Sequence, residues 1–351
     1  MYIKKFEARV LAFGLLAAAW GCGDATPPAV SSGDEALIYG ADDRREVYQL
    51  TNAHQIALAD STVALMDASD VTSVAGGYSI NTSLSYGSAY SLCSSEPFRT
   101  QPTTAYCTGF LVAPNLVATA GHCISNSSCA GTRFVFGFEM TNSTTVRGSV
   151  PTSDVYSCAQ VVGRTQTTTN DFAVVRLDRA VSGHTPLAIR RSGTVALGTS
   201  LVVSGHPAGI PLKVAGGATV RGNSATNYFE ANVDTYGGNS GSPIIDANTG
   251  VVEGILVRGN ADFVQSGSCF VSNVCSDTGC PGWEDATRIV NITPYVPVDP
   301  ECAVDADCGA GEICVGGVCQ MEPVCAAPNE ACSVNSDCCS GRCRRNRGVC
   351  R

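Results

Sequence analysis

From Ile38 to about Val298, short apolar runs recur between clusters of Gly, Asn, Ser and Thr. They are Cys107–Val112, Val117–Ala120, Arg133–Gly137, Phe172–Leu177, Leu201–Ser204 and Val251–Val257. Many of their residues are β-branched, and few stretches repeat apolar positions at helical spacing. This pattern predicts an all-β sandwich or barrel. The roughly 260 residues concerned suit two packed barrels with one core each. Ile289–Val296 reads either as the last strand or as the start of a short terminal helix, and Pro294, Pro297 and Pro300 mark a boundary there.

The flanks break the pattern. Lys4, Lys5 and Arg9 precede the apolar run Val10–Trp20, which is too short to span a bilayer comfortably. Small residues follow, so residues 1–21 read as a secretory signal. Residues 22–37 are rich in Pro, Ser, Gly and Ala and read as a flexible tether. Residues 38–75 are read as part of the β-rich fold on their strand-like content, the alternative being a removable pro-segment. Beyond it, residues 299–351 carry ten cysteines and little apolar mass, so they must be stapled to fold. Cys302, Cys308, Cys314 and Cys319 make a four-cysteine module over 299–322. The six cysteines from Cys325 to Cys350 make a second module over 323–351, spaced C-x6-C-x5-CC-x3-C-x6-C.

Nineteen cysteines point to an oxidising compartment and disulfides. The odd count is accounted for by Cys22, which leaves eight cysteines in the β-rich region, four in the first module and six in the second. Disulfides explain the tail better than zinc, since the tail holds no histidine. The net charge of −9 argues against a nucleic-acid partner, and its even spread suggests solubility. The last ten residues differ: Arg342, Arg344, Arg345, Arg347 and Arg351 occur there with no acid between them. They suggest an anionic surface as ligand, with a protease-resistant cap as the equal alternative.

Three strings carry the candidate chemistry: T-A-G-H-C at Thr119–Cys123, N-D-F-A-V-V-R-L at Asn170–Leu177 and G-G-N-S-G-S-P at Gly237–Pro243. Serine needs a base within hydrogen-bond reach, and His122 is the histidine placed after an apolar run. Asp171 opens an apolar strand, where a buried carboxylate would orient the imidazole. Its rival, Asp178, lies next to Arg179 and reads as half of a surface pair. Ser240 has glycines at 237, 238 and 241, which permit a sharp turn and close approach of a substrate carbonyl. The amides of Gly238 and Ser240 are then the expected oxyanion hole. Ser242 lies beyond the turn.

The chain order His122, Asp171, Ser240 and these local contexts resemble the chymotrypsin superfamily. The resemblance implies two antiparallel six-stranded β-barrels and a serine endopeptidase acting through an acyl-enzyme. It implies no metal or organic cofactor, a peptide or protein substrate, and a Cys107–Cys123 disulfide beside the base. Asn239 before the serine, S-G-S-P after Asn239 and I-Y-G-A-D-D-R at Ile38–Arg44 resemble the bacterial glutamyl endopeptidase branch. Trypsin-like enzymes place an acid that binds Arg or Lys where Asp234 falls. The glutamyl branch uses a threonine, matched by Thr235, and a histidine where this chain has Leu256. Arg258 offers a replacement positive charge or a partner that neutralises Asp234. His206 is a second pocket residue or a loop histidine. The specificity pocket is thus expected among Asp234, Thr235, Leu256 and Arg258, with no preference assigned. The six-cysteine spacing resembles a knottin, which implies pairing of first with fourth, second with fifth and third with sixth.

The competing function is a surface binding or adhesion protein on a degenerate protease scaffold, against which the intact three strings count. Ala19-Trp20-Gly21-Cys22 resembles a bacterial lipoprotein box, which implies lipidation of Cys22 and tethering at the cell surface or periplasm, with plain secretion as the alternative. Palmitate labelling should therefore be lost in Cys22→Ser, and labelling equal to wild type would exclude the anchor.

Overall fold

The computed structural model describes residues 38–297 apart from 260, 277–279 and 281, together with the backbone of 312–315, 318–321, 343–344 and 349–350. The signal, the tether with Cys22 and most of the two cysteine-rich modules lie outside the described residues. Of the modules, two antiparallel backbone hairpins are described: Glu312–Val315 with Val318–Met321, and Cys343–Arg344 with Val349–Cys350.

Six antiparallel strands close a first barrel. Their order is Val155–Gln166, Asp171–Leu177, Leu116–Thr119, Cys107–Ala113, Thr62–Asp67, Thr132–Phe136 and back to the first. A second ring runs through Ser200–Gly205, Pro243–Asp246, Val252–Arg258, Glu284–Arg288, Tyr228–Ala231 and Lys213–Gly222, closed by pairing of the last with the first. Arg44–Glu46 adds a strand outside Lys213–Gly222.

Strand side chains alternate between faces, and here both faces are covered. Val63 and Leu65 join Phe134 and Phe136 in the first core, while Ala64, Met66 and Val135 turn onto Val71, Ile80 and Val150 of a three-stranded outer sheet. In the second barrel, Leu201, Val203, Ile244 and Leu256 fill the interior. Val202, Ile245, Ile255 and Val257 face the other way and join the first barrel's cluster. A continuous apolar seam thereby fixes the two barrels together. Ile289–Tyr295 is a short 3-10 helix, which resolves the strand-or-helix alternative, and Ile289 and Ile292 pack into that seam.

A helix near the N-terminus of the described fold escaped the sequence reading. Ala53–Ser61 is an α-helix whose N-cap, Asn52 Oδ1, accepts from the amides of His54 and Gln55. Such a cap contributes about 1 kcal/mol. Nine residues are too few to hold a helix alone, so burial of Leu58 and Ala59 must do the rest.

All eight cysteines of the β-rich region are paired: Cys93–Cys269, Cys107–Cys123, Cys129–Cys158 and Cys275–Cys280. The second is the pair implied by the superfamily resemblance.

Residues 38–46 are built into the second barrel. Ile38–Tyr39 pairs in parallel with Val274–Cys275. Asp234 accepts the amides of Tyr39 at 2.8 Å and Asp43 at 2.9 Å. Arg44, ion-paired with Asp42 at 2.8 Å, lies 4.3 Å over the ring of Tyr236. Cutting the chain behind Arg44 should leave the buried Asp234 carboxylate without these donors and lower the thermal midpoint by roughly 5–10 °C. N-terminal sequencing of the active form should show a start at or before Ile38; a start near Tyr78 would remove this segment from the functional fold.

Candidate active site

The pairing of Leu116–Thr119 with Asp171–Leu177 sets Ala173 opposite Thr119. The turn after Thr119 therefore lies beside the first residue of the neighbouring strand. His122 Nδ1 is 2.8 Å from Asp171 Oδ2, and the His122 amide donates to Asp171 Oδ1 at 3.1 Å. Both carboxylate oxygens thus hold one residue, ring and backbone together. Asp171 is buried, and its own amide donates to Thr287 Oγ1 of the second barrel at 3.3 Å. Gly121 has to be glycine: a Cβ there would fall 2.0 Å from the Thr165 carbonyl and 2.8 Å from Asp171 Oδ1. Asp178, by contrast, pairs with Arg179 on the surface.

Ser240 sits in the loop Gly237–Ser242 of the second barrel. Gly238 and Gly241 have φ of +90° and +93°, backbone that an L side chain adopts only with strain. A Cβ on Gly241 would also fall 2.0 Å from the Thr108 carbonyl. This packing puts Ser240 against the histidine turn: its carbonyl accepts the Thr108 amide at 2.9 Å and lies 3.5 Å from Cys123 Sγ. No hydrogen bond joins Ser240 Oγ to the imidazole in this resting structure, and such bonds commonly tighten only with substrate bound. Ser242 is fully buried, and its hydroxyl donates to Asn239 Oδ1 at 3.4 Å. Asn239 is itself buried without a charge.

The amides of this loop divide sharply. Those of Gly237, Asn239, Gly241 and Ser242 donate to Asp262 Oδ2 and to the carbonyls of Tyr236, Leu256 and Asn239. Among the described residues, the amides of Gly238 and Ser240 have no acceptor. The Gly237 carbonyl accepts from the Ala208 amide at 2.5 Å. In a trans peptide C=O and N–H point apart, so the Gly238 N–H is turned away from Ala208. Two free donors therefore flank the serine.

Sequence reading missed Thr108, which is fully buried. Besides the Ser240 contact, its hydroxyl donates to the Gly238 carbonyl at 2.9 Å and accepts the His206 amide at 3.0 Å, and its carbonyl accepts Thr119 Oγ1 at 2.6 Å. Its only sequence signal is its place in C-T-G-F. His206 is a loop histidine. Its ring is buried against Phe138 with Nδ1 3.0 Å from the Ile210 carbonyl, and burial pushes its pKa down to about 3.

A cavity of about 330 Å³ opens beside Ser240. Leu256 and Arg258 line it, and Asp234 and Thr235 do not. Asp234 is turned to the amides of residues 39 and 43 instead. Thr235 Oγ1 donates to Glu284 Oε2 at 3.1 Å. Glu284 and Asp262, absent from the sequence reading, both line the cavity. Burial pushes Asp262 up to about 7. Cys107, His122 and Cys123 cluster closely enough to suggest a metal site, but the two sulfurs are joined to each other and offer no thiolate.

A family model described as trypsin-like peptidase domain matches residues 107–255. Glutamyl endopeptidase of Bacillus licheniformis is 33% identical over 155 residues, which cover 41% of this chain and 46% of that protein; the chain spans about half the length of this relative. Among solved structures, the Rv3671c protease in its inactive form aligns with a TM-score of 0.41 at 15% identity, covering 70% of this chain and 94% of the other. The VesB protease of Vibrio cholerae aligns with a TM-score of 0.43 at 15% identity, covering 70% and 65%.

Burial, the largest influence on Asp234, raises its pKa to about 7 despite the two amide donors, which act the other way. A carboxyl whose folded pKa exceeds its unfolded value near 3.9 costs nothing below that value. It destabilises the fold progressively as pH rises through the window up to about 7. The unfolding free energy of wild type relative to Asp234→Asn should therefore fall between pH 4 and pH 7 and level off above. A rise over the same range in denaturant titrations would mean that the amide donors outweigh burial.

Proposed function

We propose that this chain, which carries a trypsin-like peptidase domain, is a serine endopeptidase acting through Ser240, His122 and Asp171. The observation that carries the reading is the pair of unengaged amides, Gly238 and Ser240, in the serine loop packed beside a histidine held by a buried carboxylate. In the proposed reaction, His122 takes the Ser240 proton as Oγ attacks the scissile carbonyl. The charge that develops on the carbonyl oxygen falls to the two amides. His122 then protonates the leaving amine, and water, activated by the same base, hydrolyses the ester. Asp171 fixes the ring tautomer through Nδ1 and stabilises the cation. Asn239 carries no charge for a new N-terminal ammonium to neutralise, so activation by that ion pair has no counterpart here.

The signal-like start, the cysteine content and the four disulfides support export, with Cys22 as a lipid attachment point. The arginine-rich end of the tail would hold the enzyme at an anionic surface.

A peptide-library digest by the oxidised protein, with cut sites read by mass spectrometry, tests the activity. Ser240→Ala and His122→Ala should each lower kcat by about 10⁴-fold or more, and Asp171→Asn should cause a loss of about 10⁴-fold. Ser240 should also be the site of labelling by a fluorophosphonate. Equal cleavage by wild type and Ser240→Ala would refute the mechanism.

A further inference from the structure

The Gly238 amide is free for a ligand only while the peptide unit between Gly237 and Gly238 keeps its orientation. Turned over, that unit would put its carbonyl where its N–H now points. Glycine on both sides leaves such a rotation open, because no β-carbon hinders it. The flanking groups are held separately: the Gly237 N–H by Asp262 and the Gly238 carbonyl by Thr108 Oγ1. Among the described residues, the unit itself is held by one hydrogen bond, from the Ala208 N–H to the Gly237 carbonyl at 2.5 Å. In the turned orientation two N–H groups would confront each other, so the Ala208 amide selects the present one.

Ala208 delivers that amide from left-handed backbone, φ +51° and ψ +23°, which an L side chain adopts only with strain. The buried turn His206–Ile210 must therefore impose it. The Gly209 amide donates to the His206 carbonyl at 2.9 Å, and the Ile210 amide to the Pro207 carbonyl at 3.1 Å. Thr103 Oγ1 donates to the Ala208 carbonyl at 2.6 Å. The side chain that closes the turn is His206, whose Nδ1 lies 3.0 Å from the Ile210 carbonyl. A carbonyl only accepts, so Nδ1 carries the proton. Burial, with the nearby Lys213 charge, keeps the ring neutral, and the ring stacks on Phe138. One side chain thus spans Pro207, Ala208 and Gly209. The turn also touches the serine loop directly: a Cβ on Gly238 would fall 2.6 Å from the His206 carbonyl oxygen.

We infer that His206 is a positioning residue for the oxyanion hole: its Nδ1–H clamps the turn so that the Ala208 amide holds the Gly237 carbonyl and leaves the Gly238 N–H free. The consequence for catalysis rests on the peptidase reading; the clamp itself does not. His206 acts without touching substrate and without titrating, so its contribution is one of geometry. It makes the hole a property of two loops, with the serine loop supplying the donors and the His206 turn fixing which way one of them points.

The clamp is tested with the full oxidised chain and the peptide that the library digest shows to be cut best. His206→Phe keeps a ring against Phe138 and removes the Nδ1 donor. It should lower kcat at least about 10-fold while KM changes less than about 3-fold, the pattern of an interaction made only in the transition state. His206→Asn returns a side-chain N–H to the place of Nδ1 and should recover kcat at least about 5-fold over His206→Phe. Thr103→Val, which strips the donor from the Ala208 carbonyl, should lower kcat at least about 3-fold and keeps the test open where His206→Phe fails to fold. Amide hydrogen exchange at Ala208, followed by NMR, should be at least about 10-fold faster in His206→Phe than in wild type and slow again in His206→Asn. Equal loss of kcat in the Phe and Asn variants, a loss carried by KM alone, or unchanged Ala208 protection in His206→Phe overturns the clamp and leaves the peptidase reading intact. Ala208 protection that depends on the His206 donor, in a protein that cleaves no peptide, supports the clamp and refutes the peptidase.

Discussion

The site depends on keeping two barrels in register to within a fraction of an ångström, and Thr108 is the residue through which this is done. His122 and Asp171 come from the first barrel and Ser240 from the second, so any slip along the apolar seam separates the imidazole from the serine. Apolar contact is non-directional and does not resist such a slip. Thr108 supplies directional bonds instead. From one residue of the first barrel, its backbone and hydroxyl reach Ser240, Gly238 and the His206 amide, and its carbonyl returns to Thr119 at the entry to the histidine turn. The Asp171 amide adds a second crossing to Thr287. A 1 Å misplacement of reacting groups can cost about 10²-fold in rate, which sets the scale of what these bonds protect.

The N-terminal segment acts on the same loop from the other side. Tyr39 and Asp43 give their amides to Asp234, Arg44 stacks over Tyr236, and Glu46 forms a buried ion pair with Lys213 at 3.1 Å. Asp234, Thr235 and Tyr236 lead directly into Gly237–Ser240, so the segment braces the approach to the serine loop. It does this with backbone amides and a guanidinium already present in the chain. An uncharged Asn239 is consistent with that arrangement: it is satisfied locally by Ser242 and needs no ammonium delivered from elsewhere.

The parts legible in the sequence are those whose requirements are local. T-A-G-H-C carries a glycine because no Cβ fits between Thr165 and Asp171, and G-N-S-G carries glycines because two backbone positions are left-handed. The apolar runs are legible because both faces of their strands are covered, and the Cys107–Cys123 disulfide only through the superfamily resemblance of the strings that hold it. Thr108 and Glu284 could not be read this way. Thr108 meets Gly238 across 130 positions, and Glu284 meets Thr235 across 49. Each role comes from strand register, which leaves no mark on neighbouring residues. Asp234 shows the opposite error. Its spacing from Ser240 suggested a pocket, but its direction was decided by amides 191 and 195 positions away.

Strand register also decides which side chains border the cavity beside Ser240. In a strand, neighbours project to opposite faces, so Glu284 and Asp285 cannot both address one cation. Asp285 takes Arg258 on one face, while Glu284, held by Thr235, borders the cavity from the other with Leu256 beside it. If the order of the two acids had no consequence, exchanging a one-residue slip would be harmless. Instead a slip would move the carboxylate of Glu284 out to the arginine and bring the arginine's partner inward, changing the apolar lining at Leu256 and Ala286 as well. The lining of the cavity and the packing of the barrel are thus set by one register. A lining read from the residues next to Ser240 alone misses the strand that supplies Glu284.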